Sequence, residues 1–214
     1  FDYRSESDRV PYPLSERTRI EGGGDRHTVV VRRGACRLYE TWNTRRTPSG
    51  WRAGSGAVWD LRSNALRPLG WTSADAAGLP ILPGLLRWSQ VRAGSVQHAI
   101  RFTAPTTAPH FVWPARHEAG SDPLAPPMGA RFRLRADFDV NDFSPHTRVV
   151  LTAMQKYGMV LADNGSAWYF QGATNRRWPA RLIAELKTIP SAAFEAVDTE
   201  QMIVSADSGR AKHE

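Results

Sequence analysis

The ten residues from Arg131 to Val140 alternate strictly between charged and apolar side chains. A two-residue period is that of a β-strand with one face against a core and the other face toward solvent or a ligand. The sequence therefore predicts a long amphipathic strand over this stretch, and it sets the expectation of a chain built largely from strands.

Short strand-like segments recur elsewhere, separated by turn residues. Two pairs of segments have the form of hairpins, with Arg33-Gly34 and Asp163-Asn-Gly-Ser166 at the turns. These pairs are 27–32 with 36–42, and 159–162 with 167–170. Further short strands are predicted at 57–61, 98–103, 110–113, 194–197 and 201–204.

Two helices are predicted among these strands. One begins at Ser144-Pro145, where Ser can cap and Pro can open a helix, and it ends at Gly158. The other covers Ala180–Lys187. The apolar segment Leu79–Trp88 contains two prolines and is expected to be a buried broken helix or extended segment.

Together these elements predict a mainly β fold, an antiparallel β-sandwich or β-barrel with two short helical insertions. We expect an extended N-terminal arm over residues 1–24, a single β-rich domain over 25–204 and a polar tail over 205–214. A chain of 214 residues is long enough to bury a core without a disulfide or metal.

Several classes of protein are disfavoured by missing patterns. Cys36 is the only cysteine, so there is no intrachain disulfide and no thiolate zinc cluster. Nucleotide-binding glycine motifs and the GxSxG elbow of esterases do not occur. No run of about 18 apolar residues is present, so no membrane span is predicted.

The net charge is +7, and only three of the 28 basic residues are lysine. This bias is typical of a GC-rich genome, and it also favours attraction to a polyanion. Nucleic acid is a disfavoured partner, because lysine is sparse and no recognition motif stands out. An acidic polysaccharide or another anionic polymer is the preferred partner, and the oligomeric state stays open.

The candidate catalytic residues are acids and histidines near predicted strands and their ends, where binding and catalytic side chains concentrate. They are Asp60, His98, His117, Glu40 and Asp163. Competing interpretations remain: His98 as a hydrogen-bonded core histidine, and Asp163 as a turn residue. No His pair has metal-ligand spacing, so neither a metal nor a cofactor is predicted, although separate histidines could converge in space.

The chain contains eight tryptophans, whose faces can stack on sugar rings. The alternative is that most of them lie in the core. With arginines of the charged strand face, some of these residues form the predicted substrate-binding set. That set is Trp59, Trp71, Trp113, Trp168, Arg131 and Arg133.

Several stretches resemble a family of secreted bacterial proteins of unassigned function. They are Ile20–Gly23, Asp25–His27, Leu38–Glu40, Gly54–Asp60, Trp71–Leu85, His98–Phe102, Trp113–His117 and Tyr157–Ser166. The resemblance covers roughly residues 10–200, implies an extracellular location and assigns no catalytic residue. The chain also begins with Phe1 rather than Met, which fits removal of a leader as well as a trimmed chain.

From these patterns we expect a secreted carbohydrate-active enzyme that cleaves glycosidic bonds of a polysaccharide. Hydrolysis by paired carboxyl groups is favoured, and elimination from a uronic-acid polymer is the other route. The alternative is a non-catalytic binding module for a sugar or an anionic polymer.

Overall fold

The computed structural model describes residues 1–167 and 169–212, and most of its regular structure is β. The strands are β1 Thr28–Arg32, β2 Arg37–Trp42, β3 Arg45–Thr47, β4 Gly50–Arg52, β5 Ser55–Asp60, β6 Ile100–Ala104, β7 Arg131–Leu134, β8 Met159–Asn164, β9 Tyr169–Phe170 and β10 Phe194–Val197. The α-helices are α1 Ile81–Gly84, α2 Trp88–Arg92, α3 Pro145–Lys156 and α4 Ala180–Leu186.

The first sheet has the strand order β1-β2-β5 and is antiparallel throughout. Its β1–β2 pair is the hairpin that the sequence predicts around Arg33-Gly34. Leu38 of β2 lies opposite Trp59 of β5, and these two side chains form a small buried cluster with Ala57. Strands β3 and β4 form a separate two-stranded hairpin.

The second sheet has the order β10-β7-β8-β6-β9. All its pairs are antiparallel except β6 with β8, which run parallel. The main hydrophobic core belongs to this sheet and the helices packed on it, and it includes Ile100, Leu151, Met154 and Leu161. Because β6 is covered on both faces, Arg101 is buried like its neighbours Ile100 and Phe102.

The predicted helices are confirmed. Helix α3 begins at Pro145 after Ser144, and the chain leaves it through Gly158 at a φ of +71°, a left-handed conformation that glycine adopts without strain. Helix α4 covers the second predicted position. The proline-interrupted segment forms the short α1 and then leads into α2, as expected for a broken helix.

The long strand predicted over Arg131–Val140 is only partly correct, because β7 ends at Leu134. A turn follows, in which the amide of Phe138 donates to the carbonyl of Arg135 at 3.1 Å. The side chains of Arg135 and Asp137 pair across this turn at 3.0 Å. Phe138 and Val140 still pack against the core, so the apolar pattern persists without the strand.

The predicted hairpin over residues 159–170 is wrong, because β8 and β9 are not neighbours. Both pair with β6, which lies between them. The connecting turn closes against β6 instead: the amide of Gly165 donates to the carbonyl of Ala104 at 3.0 Å. A Cβ at Gly165 would lie only 2.9 Å from the hydroxyl of Thr103, so this close approach requires glycine.

Three other predicted strands differ from the structure. The segment 98–103 becomes β6 only from Ile100, which leaves His98 before the strand. Phe111 makes a single bridge to Met128, and residues 201–204 begin within a 3-10 helix, Glu200–Met202.

The mainly β class is confirmed, with antiparallel-rich sheets and short helices. Over residues 1–167 and 169–212 the sheets do not close into a barrel. No helix in these ranges has both the length and the apolar character needed to cross a bilayer.

The N-terminal residues pack along β5 and reach the candidate site. The amide of Asp8 donates to the carbonyl of Gly56 at 3.1 Å, and the carboxylate of Asp8 accepts from the amide of Val58 at 2.8 Å. The same carboxylate pairs with buried Arg67 at 2.7 Å. These contacts hold Tyr3 and Glu6 beside the first sheet.

Candidate functional site

Two cavities divide the chemically interesting side chains between them. The first, which we call the acidic cavity, has a volume of about 370 Å³ and is lined by four carboxyl side chains and an imidazole. These are Glu6, Asp25, Asp75, Asp163 and His117. The second, the inter-sheet cavity, has about 390 Å³ and is lined by residues of both sheets.

A β-bulge sets the position of Asp163. Phe102 of β6 pairs with Leu161, but the next residue pairs with Asp163, so Ala162 is the extra residue of β8. Bulges of this kind redirect side chains and are common beside functional sites. The carbonyl of Ala162 accepts instead from the amide of Ala77 at 3.0 Å, which ties β8 to the loop that carries Asp75.

Asp163 has the electrostatics of a proton donor. Burial raises its pKa to about 7, and the nearby charge of Asp75 adds to the rise, while Arg101 opposes it. Within residues 1–167 and 169–212, its side chain accepts only from the amide of Asn164, at 2.8 Å. A carboxyl group that keeps its proton near neutral pH can protonate a leaving group.

Asp75 is a structural carboxyl group whose two oxygens are occupied by donors. It is buried, and its Oδ2 accepts from Nη2 of Arg101 at 2.7 Å. Its Oδ1 accepts from the amide of Leu79 at 3.0 Å and from the hydroxyl of Ser73 at 3.1 Å. Burial raises the pKa of Asp75 above its ordinary value, while Arg101, the amide of Leu79 and the hydroxyl of Ser73 oppose the rise.

Two histidines fasten the loop around Asp75, residues 71–79, which we call the Asp75 loop. His27 donates from Nδ1 to Glu21 at 2.7 Å and from Nε2 to the carbonyl of Ala74 at 2.8 Å. Because both partners are acceptors, this geometry requires the imidazolium form. His117 donates from Nδ1 to the carbonyl of Ala76 at 2.8 Å, and its Nε2 lies 3.8 Å from Glu6.

Aromatic side chains form another part of the acidic cavity wall. Trp42 and Tyr3 both line it, with their ring centroids 6.1 Å apart. The indole nitrogen of Trp42 lies 3.4 Å from the carboxylate of Asp25. Gly54 packs under the indole ring, where a side chain would leave no room.

The inter-sheet cavity contains two other predicted residues, Asp60 and His98. Asp60 is ion-paired with Arg62 at 3.0 Å and Arg37 at 3.4 Å, and the hydrogen bonds from Arg62 lower its pKa to about 2. His98 donates from Nδ1 to the carbonyl of Ala99, and its Nε2 lies 3.3 Å from Gln90. Neither side chain is arranged as a free acid or base.

Glu40 lines neither cavity. It is fully buried and accepts from the indole of Trp59 at 3.1 Å and from the amides of Ile81 at 2.9 Å and Leu82 at 2.8 Å. Burial raises its pKa to about 7, against the effect of the two backbone donors. Its carboxyl group therefore joins β2 to the start of α1, and neither of its oxygens is accessible to a substrate.

The predicted substrate-binding residues do not come together. Trp59 lines the inter-sheet cavity, while the guanidinium of Arg67 lies over both Trp59 and Trp71, 5.6 and 5.4 Å from the ring centroids. Trp113 donates to the carbonyl of Ser208 at 2.8 Å. Trp168 lies outside the described residues.

The two arginines of the predicted binding set lie on β7 and line neither cavity. Arg131 donates to the carbonyl of Tyr157 at 3.1 Å, and burial lowers its pKa. Arg133 is ion-paired with Glu195 at 2.6 Å. Both are therefore engaged within the fold.

Sequence reasoning missed several residues of the site. Asp75 and His27 carry no distinctive local signal, because capping of a turn accounts for Asp75 and a position at a strand start accounts for His27. Arg101 gives no sequence signal of a buried ion pair, since an arginine between Ile100 and Phe102 has the pattern of an exposed strand face. Glu6 lies in a polar segment with no strand or helix pattern to place it.

Among the described residues, no group of three or more His, Cys, Asp or Glu side chains is arranged to hold a metal ion. The chain matches no protein-family model, no curated protein and no solved structure.

Proposed function

We propose that this protein is a secreted carbohydrate-active enzyme that hydrolyses glycosidic bonds of a polysaccharide in the acidic cavity. The observation that carries the proposal is the half-buried carboxyl group of Asp163, whose pKa is raised to about 7, in a cavity that contains further carboxylates. Glycoside hydrolysis needs such an acid together with a second carboxylate that acts as base or nucleophile.

The second carboxylate is Glu6 or Asp25, because the oxygens of Asp75 are occupied by donors. Glu6 accepts from the amide of Thr72 at 3.2 Å, and Asp25 is exposed at the cavity rim. Both keep lone pairs free for a water molecule or a sugar carbon.

The cavity walls suit a sugar ring. Trp42 and Tyr3 supply apolar faces, and sugar rings stack on such faces through their C–H groups. The Asp75 loop is fixed by His27, His117 and Arg101, so the acid side of the cavity is ordered before substrate arrives.

The test is a polysaccharide panel assayed for new reducing ends, with Asp163→Asn as the variant and Asp142→Asn as the matched control. Asp142 is exposed and lies in a loop outside both cavities. We expect activity on at least one polymer, a loss of about 10²-fold or more in Asp163→Asn, and no loss in the control. Glu6→Gln and Asp25→Asn then identify the second carboxylate.

The pH profile gives an independent check. Because Asp163 must be protonated to act as the acid, the rate should fall as pH rises above about 7, and Asp163→Asn should lose that limb. Unsaturated products, seen as ultraviolet absorbance, would assign elimination instead. No activity across the panel, or an Asp163→Asn variant as active as the control, would refute hydrolysis at this site.

The second candidate function is a non-catalytic binding module for a sugar or an anionic polymer. The observation that favours it is that the oxygens of Asp75 already accept from Arg101 and the amide of Leu79. Asp75 is therefore not available as the second catalytic carboxylate beside Asp163. A binding module of this kind should bind saccharides without forming any product, and Trp42→Ala should lose that binding.

A further inference from the structure

Arg101 is a buried cation with unused donors. Its side chain is 3% exposed, and Nη2 donates to Asp75 at 2.7 Å. Its Nε and Nη1 are also buried, and neither has a hydrogen-bond partner in residues 1–167 and 169–212. Buried donors without partners are rare in native proteins, so the two unused donors of Arg101 need an explanation, and a bound anion supplies one.

The space beside Arg101 is the inter-sheet cavity, and its walls are mainly apolar. Among them are Leu38, Trp59, Leu79, Pro80, Val160 and Ala162. The volume of about 390 Å³ lies within the range of sites for small molecules, which are mostly apolar with a few polar groups that fix orientation. Arg101 is the buried cation of this lining, and two of its donor nitrogens are unused.

The charges around the cavity favour a single negative charge on the ligand. Arg101 is already balanced in part by Asp75, which lies outside this cavity, and the acid among its described lining residues, Asp60, is shared between Arg37 and Arg62. A dianion in so apolar a site would need more cations than these. A monoanion whose oxygens accept from Nε or Nη1 of Arg101 meets the requirement.

We propose that the inter-sheet cavity binds a small apolar monocarboxylate, with the carboxylate on Arg101 and a hydrocarbon or aromatic body against the apolar walls. This site is separate from the acidic cavity and does not depend on hydrolysis there. Arg101 connects the two, because the same guanidinium holds Asp75 in the wall of the acidic cavity.

The experiment is isothermal titration calorimetry of the full chain with hexanoate and benzoate, each compared with its neutral amide, hexanamide or benzamide. We expect at least one acid to bind and its amide to bind roughly tenfold more weakly or worse, because the amide leaves the charged donors of Arg101 without an anion. Equal affinities for acid and amide, or no binding of either acid at millimolar concentration, would overturn the proposal.

Two variants locate the site. Ala99→Phe places a ring in the cavity lining and should abolish acid binding, while Ala192→Phe, at an exposed position outside the cavity, should leave it unchanged. Arg101→Lys keeps a cation for Asp75 but removes the spare donors, and it should erase the preference for acid over amide. Unchanged acid binding in Ala99→Phe contradicts the site even where Arg101→Lys fails to fold.

Discussion

His27 shows how one protonation state organises the acidic cavity. Burial lowers its pKa, but the hydrogen bond and charge of Glu21 outweigh this effect and raise the pKa above its ordinary value of 6.5. The same bond lowers the pKa of Glu21 below its ordinary value of 4.5. The stabilisation from His27 is complete below pH 6.5 and is lost as pH rises through the raised pKa. That from Glu21 is complete above pH 4.5 and is lost on acidification.

The pair should therefore stabilise the fold most between pH 4.5 and 6.5. We expect His27→Gln to lower the free energy of unfolding by about 1 kcal/mol near pH 6 and by less at pH values above the raised pKa, since Glu21 is partly exposed. Urea unfolding at several pH values measures this. His110→Gln, at an exposed histidine, is the control, and an effect of His27→Gln that does not vary with pH would contradict the account.

At the scale of elements, Gly54 determines where the wall of the acidic cavity lies. It precedes β5, and a Cβ there would lie 2.3 Å from the six-membered ring of Trp42. Gly34, in the turn between β1 and β2, has nothing within 4 Å of its Cβ position and a negative φ. The two glycines thus form a matched pair, one under a ring and one in open space.

We expect Gly54→Ala to displace the indole of Trp42 and to lower the free energy of unfolding by about 1–3 kcal/mol, the usual cost of overpacking. Gly34→Ala should change stability by less than about 1 kcal/mol. Near-ultraviolet circular dichroism and urea unfolding measure the two effects. Equal behaviour of the variants would mean that Trp42 can move freely, and the aromatic wall would lose its support.

Elements whose signals are local could be predicted from the sequence. Ser144-Pro145 and Gly158 mark the two ends of helix α3 in the sequence, and Arg33-Gly34 marks the turn of the β1–β2 hairpin. The alternation over Arg131–Val140 predicts a longer strand than β7, because a two-residue period shows which side chains reach the core and not where hydrogen bonding to a neighbouring strand ends. The turn residues at Asp163 predict a hairpin. The structure instead places β6 between β8 and β9, with Gly165 packed against β6.

The candidate site was predictable only in part for the same reason. Of the candidate catalytic residues, Asp163 and His117 line one cavity, while Asp60, His98 and Glu40 lie elsewhere. Asp75 and Arg101 become informative only as a buried ion pair, and Arg101 is buried because β6 lies between β8 and β9. Pairing between segments that are far apart in the chain leaves no periodic pattern in the sequence, so it could not be predicted from the sequence.

At the scale of the whole molecule, the N-terminal residues connect the first sheet, the Asp75 loop and the acidic cavity. Tyr3 and Glu6 line the cavity, while Asp8 covers the outer side of β5 and pairs with Arg67. Arg67 is 4% exposed on its side chain and donates also to the carbonyl of Thr72 at 2.6 Å. A cation so deeply placed depends on its carboxylate partner.

Asp8→Ala should therefore lower the free energy of unfolding by about 2–4 kcal/mol, because it leaves a buried guanidinium without its anion and removes an acceptor from β5. Asp2→Ala is the matched control, since no hydrogen bond or ion pair involves the Asp2 side chain in the described part of the chain. Urea unfolding compares the two. If the N-terminal residues act as a wall of the acidic cavity, Asp8→Ala should also weaken saccharide binding or hydrolysis under conditions where the variant is fully folded. Full activity in a folded but destabilised Asp8→Ala variant would mean that the N-terminal residues stabilise the fold without contributing to the acidic cavity.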